Sequence, residues 1–385
     1  MITKIINARV VDGGRISDDP ICFDDRILPQ GSFAERIIDA GGQFVSAGFI
    51  DLHLHGGDGY DFMDGSDEAF RRIAAFHARH GTTAMCPTTL SGDLDETLEV
   101  IEAYKRVKTE SQTKVTGSDF IGLHLEGPYF AYSQRGAQDP KYIHPPRRDE
   151  YIRLLDACPD IVRWSSAPEL DAGWEFVGEL KRRGIMASAG HTDADCRQML
   201  EAARQGYTHM THLYSGMKGV ERIAGIRVAG AVEGAFLCDD VTVEVIADGM
   251  HLPHEILALV YKIKGADRTA LITDAMRGAG LPDGSETLLG SKQNGQPAII
   301  EQGVAWLPTR DAFAGSVATT DRLVRNMLKS RVPLTDAVRM ASETPAKLIG
   351  CRSKGRLEVG YDADIVMFDE EVKVSRVFIR GEELL

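Results

Sequence analysis

The chain has 385 residues, and its 44 basic and 57 acidic side chains give a formal net charge of −13. It is 43% hydrophobic and 26% charged, a balance that excludes a disordered chain, a coiled coil and a collagen-like repeat. The acidic excess argues against nucleic acid as the main partner, because phosphate binding wants a basic face; a local basic pocket stays compatible with it.

The opening residues, MITKIINARVVDGG, carry no basic-then-apolar signal pattern. No apolar run approaches the roughly 18–20 residues of a membrane span, so no membrane partner is expected. Six scattered cysteines (Cys22, Cys86, Cys158, Cys196, Cys238 and Cys351) form no CxxC pair. They read as reduced thiols in a cytoplasmic protein.

Residues 1–47 and 352–385 hold short Val/Ile-rich runs broken by turn residues. They predict a small β domain built from both termini. Between them, residues 48–351 alternate short apolar strands with amphipathic helices, which implies a parallel sheet. The strand candidates in chain order are FIDLHLH (49–55), TTAMCPTT (82–89), DFIGLHLE (119–126) and IVRWSSAPE (161–169). GIMASAGH (184–191), HMTHL (209–213), VTVEVIADG (241–249) and TALITDA (269–275) follow. Helical stretches such as DEAFRRIAAFHARHG, DADCRQMLEAARQG and TDRLVRNMLKS lie between or after them. Eight such units predict an α/β (β/α)8 TIM barrel, whose chemistry sits at the C-terminal ends of the strands.

Polar side chains fall at those ends. The first strand closes on His53 and His55, the third on Glu126, the fifth on His191 and the sixth on His212. The seventh runs into Asp248 and His251, and the eighth ends in Asp274. Residues two apart on a strand share a face, so His53 and His55 can both enter the barrel mouth. Imidazole and carboxylate suit zinc, iron, manganese or cobalt, and a catalytic site uses about three protein ligands plus water. Glu126, His191 and His212 supply such a set, and His53 and His55 make a second ion feasible. An ion there lowers the pKa of a bound water to near 7, and Asp274 is placed to move its proton to a leaving group. His124 and His209 read as packing or supporting groups. His77, His80, His144 and His254 read as ordinary surface residues.

GFIDLHLHGGDGYDFMDG, GLHLEGP, SAGHTDA, THMTHL, ADGMH, LITDA and FAGS, in this order, resemble the N-acetylglucosamine-6-phosphate deacetylases of the amidohydrolase superfamily. The ending GRLEVGYDADIVMFD resembles that superfamily's closing β unit. The resemblance implies a barrel with a small β-sandwich domain, a homodimer, and hydrolysis of the acetamide of an amino-sugar phosphate. It makes Glu126, His191 and His212 the principal metal ligands and His53 and His55 the pair for a second ion. Strand four has no lysine to bridge two ions, which leaves Glu126 as the bridge. By the same resemblance Asp274 is the acid–base aspartate, His251 contacts substrate and polarises its carbonyl, and Gly315 and Ser316 belong to the substrate loop after strand eight.

The departures concern substrate. Ser215 and Gly216 stand where the family reads Asn-Ala, and Gln138 replaces a family histidine. The family's phosphate-binding arginine, which reaches a neighbouring subunit, has no clear match; Arg222, Arg227, Lys218 and Arg135 are the basic candidates. A different N-acyl substrate therefore stays open: N-acetylgalactosamine 6-phosphate, an unphosphorylated amino sugar or an N-acyl amino acid. A non-enzymatic scaffold is disfavoured by the intact Glu126, His191, His212 and Asp274.

Overall fold

The computed structural model describes all 385 residues. Its centre is a ring of parallel strands: β1 (Phe49–Leu54), β2 (Thr82–Pro87), β3 (Asp119–Phe120 and Leu123–Glu126) and β4 (Ile161–Ser166). β5 (Met186–Ala189), β6 (Tyr207–Met210), β7 (Thr242–Ile246) and β8 (Thr269–Ile272) continue it. Each is followed by a helix: α1 (Asp67–Ala78), α2 (Leu94–Thr113), α3 (Arg148–Ala157), α4 (Glu175–Arg183), α5 (Cys196–Gln205), α6 (Ala231–Leu237), α7 (His254–Lys264) and α8 (Thr320–Lys329). β3 changes partner midway: Asp119 and Phe120 pair with β2, whereas Leu123–Glu126 pairs with β4. The ring closes where the amide of Asp274 donates to the carbonyl of His53 at 2.8 Å.

The local causes are plain in the residues. Strands β1, β2, β3 and β8 are almost wholly buried, as expected where helices cover one face of a barrel strand and side chains fill the other. Helix α1 starts on the Ser66 cap, carries Asp67 and Glu68 in its first turn, and buries Phe70, Ile73, Ala74 and Phe76 on one stripe. Helix α5 opens with a reciprocal capping box between Asp195 and Gln198.

The chain ends meet in two sheets. One holds Thr3–Ile6, Ile21–Phe23, Ile27–Leu28 and Arg36–Asp39; in the other, Phe44–Ala47 pairs antiparallel with Ile365–Phe368. Ile5, Phe23 and Ile38 from the first sheet and Val45, Ile365 and Phe378 from the second share one apolar core. No helix is long and apolar enough to cross a membrane.

Two features depart from the sequence reading. The segment after β8 is not a simple loop: Glu286–Leu289, Gln296–Glu301, Val304–Trp306 and Phe313–Ser316 form a four-stranded antiparallel sheet. Its strands are short and its turns Gly-rich, so their alternation is weak against the helical pattern around them. His77 is not a surface residue. It is fully buried on α1 and its Nε2 lies 2.9 Å from the Gly56 carbonyl, because the inner face of α1 packs over the first strand's exit.

Candidate active site

The strand ends bring five metal-competent side chains together at the C-terminal mouth of the barrel. His53, His55 and Glu126 form one compact group, and Glu126, His191 and His212 form another; ligand atoms within each lie within 4.8 Å of one another. Glu126 is common to both. Its Oε1 faces Nε2 of His212 at 3.1 Å, of His53 at 3.3 Å and of His191 at 3.5 Å. Its Oε2 faces Nε2 of His55 at 3.4 Å and accepts from Gln138 Nε2 at 2.7 Å.

The rings are oriented from behind. His53 donates Nδ1–H to Glu244 at 2.8 Å, His191 to the Gln134 carbonyl at 2.7 Å, and His55 to the Thr88 carbonyl at 3.3 Å. Spending the Nδ1 proton this way leaves each Nε2 lone pair aimed into the shared space. Nε2 of His53 is buried and makes no hydrogen bond. The Nε2 atoms of His191 and His212 stand 3.1 Å apart, an arrangement two lone pairs tolerate when a cation sits between them. The donor set, the orphaned nitrogen and the facing nitrogens fit a divalent metal, one ion or two.

Backbone strain marks the same positions. His191, His212 and Asp274 have φ of 47°, 29° and 48°, left-handed values that cost a non-glycine residue on the order of 1–3 kcal/mol each. Surrounding bonds hold them: the His212 amide donates to Glu244 at 3.0 Å and the Ser316 amide to the Asp274 carbonyl at 2.8 Å. Gly216, at φ 57°, lies so close that a Cβ there would stand 2.8 Å from Nδ1 of His191. Both conformation and space favour glycine at that position.

The electrostatics agree with a cation site. Burial would lower the pKa of His53, yet Glu126, Glu244 and Asp274 together raise it to about 10. Burial likewise works against ionised Glu126 and Asp274, and the His53 charge with neighbouring hydrogen bonds holds both below the usual carboxylate range. The surplus negative charge draws a proton to His53 where a divalent ion would serve instead.

Asp274 stands beside this centre, with Oδ1 3.1 Å from Nε2 of His55 and 3.7 Å from Nε2 of His53. His251 lines the same cleft of about 160 Å³, packs at a tilt against Phe313, and donates Nδ1–H to Asp248 at 2.8 Å. Gln138, Ser215, Gly216 and Gly315 also line it. Gln138 has both ends of its amide engaged, since its Oε1 accepts from the Ser91 amide at 2.9 Å. Ser316 is fully buried and its hydroxyl donates to the Thr273 carbonyl, outside the cleft lining. Arg222 and Arg227 face each other across an exposed hairpin and do not line the cleft. Lys218 pairs with Asp193 at 3.1 Å, and Arg135 donates to the Tyr132 carbonyl.

His124 sits between Thr88 and Ser165, and His209 between Thr242 and Glu244, all below the mouth. Sequence reasoning missed Glu244, Arg163 and Phe313. A signal existed for the first two: each is a charge within a parallel barrel strand, where it must find a buried partner.

Residues 44–384 match the amidohydrolase family. The N-acetylglucosamine-6-phosphate deacetylase of Lysinibacillus sphaericus is 34% identical over 347 residues, covering 89% of this chain and 86% of that protein. The chain belongs to the N-acetylglucosamine-6-phosphate deacetylase family of amidohydrolases. The N-acetylgalactosamine-6-phosphate deacetylase of Escherichia coli is 29% identical, with 99% of each chain covered. The Mycobacterium smegmatis N-acetyl-D-glucosamine-6-phosphate deacetylase, solved in complex with N-acetyl-D-glucosamine-6-phosphate, superposes with a TM-score of 0.88 at 28% identity. That alignment covers 100% of this chain and 99% of the other. The (β/α)8 barrel read from the strand pattern is the fold observed, and the family the motifs resemble is the one that matches.

Beneath the mouth of this amidohydrolase, Asp51 is fully buried against Thr273, and burial pushes its carboxyl up to about 7 despite the hydrogen bonds it accepts. The folded chain therefore keeps a proton that the unfolded chain releases near 3.9. Between about pH 4 and 7 the native state holds more protons, so this group's contribution to stability falls as pH rises. Asp51→Asn should remove that slope: in urea titrations of metal-free protein, the variant should gain on the parent from pH 5 to pH 8. Parallel pH profiles would show that Asp51 is already ionised in the fold at pH 5.

Proposed function

We propose that this amidohydrolase hydrolyses the acetamide of N-acetylglucosamine 6-phosphate to glucosamine 6-phosphate and acetate, in amino-sugar catabolism. The observation that carries this reading is one buried carboxylate, Glu126, shared by two histidine pairs with Asp274 beside them at the mouth of a single cleft. His53, His55, Glu126, His191 and His212 would hold one or two ions, zinc in our reading, with iron, manganese and cobalt suited to the same donors. A divalent ion supplies Lewis acidity there, activating water and polarising a carbonyl.

The rest is work for the chain's own side chains. Asp274, kept ionised by the neighbouring histidines, takes a proton from the attacking water. It then gives that proton to the amide nitrogen, which leaves as an amine only once protonated. His251, held through Nδ1 by Asp248, lines the cleft where its ring would meet the carbonyl oxygen as charge develops on it. Ser215, Gly216, Gln138 and Gly315 then bound the sugar, and the buried Ser316 hydroxyl fixes the loop that presents Gly315.

The reading extends to a homodimer in the cytoplasm. Val220, Ile223 and Ile226 are exposed on the hairpin that bears Arg222 and Arg227, which supports that hairpin reaching a second copy's phosphate. Six unpaired cysteines support a reducing compartment.

A second reading, the galactosamine epimer, is favoured by the Escherichia coli relative and by a glutamine, Gln138, already committed to Glu126. Free-amine release by zinc-loaded protein from both N-acetylhexosamine 6-phosphates and both unphosphorylated sugars separates them. Preference for the glucosamine phosphate is expected. Preference for the epimer selects the second reading, and no release from any of the four overturns both.

A further inference from the structure

The barrel interior below the mouth holds a charge pair that nothing in the proposed reaction uses. Arg163 on β4 is 1% exposed and Glu244 on β7 is 0% exposed. Both terminal nitrogens of Arg163 donate to Glu244, Nη2 at 2.7 Å to Oε1, and Nη2 also reaches Ser188 and Thr211. Two ions so deeply buried are costly unless each is paired and hydrogen-bonded. Glu244 spends what Arg163 leaves free on the cluster above: Oε1 accepts from His53 Nδ1 at 2.8 Å and from the His212 amide at 3.0 Å, and Oε2 lies 3.4 Å from His209 Nε2. One carboxylate thus contacts a ring from the first candidate metal group and the strained backbone of a residue in the second.

We propose that Glu244, neutralised by Arg163, is a positioning residue for metal binding, which fixes His53 as the Nδ1–H tautomer and strengthens Nε2 as a ligand. This rests on the assignment of His53, His55 and Glu126 to an ion. The physical basis is that a histidine whose far nitrogen donates to a carboxylate is both held in orientation and made more basic at the other nitrogen. Arg163 has the complementary task. It cancels the Glu244 charge, so the carboxylate can polarise His53 without adding a third net negative charge beside Glu126 and Asp274. The strand-four cation therefore serves the metal centre through Glu244 and not as a ligand.

Removing Glu244 alone would strand a buried guanidinium, so the test uses the double variant Arg163→Met with Glu244→Leu, which removes both charges and the acceptor on His53 together. Zinc stoichiometry and affinity are read by competition with a chromophoric chelator. The parent should bind two ions. In the double variant, the ion at His53 and His55 should weaken by about 10–100-fold, the range seen when such supporting partners are lost, and the ion at His191 and His212 should change far less. Two ions of unchanged affinity would overturn the role of Glu244. A parent in which His53→Gln leaves zinc content and affinity untouched would overturn the underlying ligand assignment instead, and this proposal with it.

The zinc-loaded parent gives a second reading that needs no double variant. In long-range proton–nitrogen NMR of the histidine rings, the resonance lost in His53→Gln should carry its proton on Nδ1, shifted downfield by the carboxylate. A proton on Nε2 would overturn the proposal even if the double variant failed to fold.

Discussion

Asp274→Asn is expected to lower kcat by roughly 10²–10⁴-fold, the usual worth of a positioned acid–base group, while metal content and fold stay at the parent level. Asparagine keeps the size of the side chain and can still approach His55, but it cannot take up a proton and give it back. The position tolerates the exchange on other grounds: the backbone is pinned by Asp274 N–H donating to His53 and by Ser316 N–H donating to Asp274, neither of which uses the carboxylate. Because His53 and His55 hold the carboxyl below its usual range, the parent meets substrate with the base form ready at neutral pH. KM should change little. A variant that turns over near the parent rate would remove Asp274 from proton transfer and leave only a structural role.

Glu126→Gln should have an effect of similar size by a different route, through loss of metal. Glu126 is the one residue shared by both candidate groups, so an amide there weakens every ion at once. Whichever way the amide turns, its NH2 must face one ion position, presenting a donor where a lone pair is needed. Affinity should fall by more than the ~10–100-fold that follows from losing a supporting partner, and the purified variant should come out with little zinc by atomic absorption. The side chain is 2% exposed, so the variant should be checked for folding by circular dichroism before its metal content is interpreted. Full zinc content in a folded variant would move the bridge to another residue.

Much of this was legible in the order of residues. Eight apolar runs separated by amphipathic stretches specify the barrel, because a parallel strand inside a closed layer is apolar at nearly every position. The rim residues were legible because a histidine or carboxylate at the end of each of several such runs has no common structural reason to be there. What the sequence hid depends on contacts across the barrel. Glu244 and Arg163 are far apart in the chain, and only the curvature of the sheet, which brings β4 and β7 face to face across the barrel interior, shows that their charges cancel. Gln138 reads as a substitution at a sugar contact, yet its amide bridges Glu126 and the Ser91 backbone, a role that needs the loop's path to be known. His77 is buried by the packing of α1 alone, which no local pattern distinguishes from exposure. The sheet spanning Glu286–Ser316 is built from strands too short to stand out, although its last strand sends Phe313 and Gly315 into the cleft.

The proposed deacetylation requires Glu126 and the four histidines to hold a divalent ion, with Asp274 beside it as the proton carrier. The most direct measurement strips the protein with a chelator, removes the chelator by dialysis, and follows acetate release from N-acetylglucosamine 6-phosphate as zinc is added back. Activity should vanish on stripping and return in step with zinc bound, reaching its limit at no more than two ions per chain. Hydrolysis that persists in fully stripped protein would contradict the account.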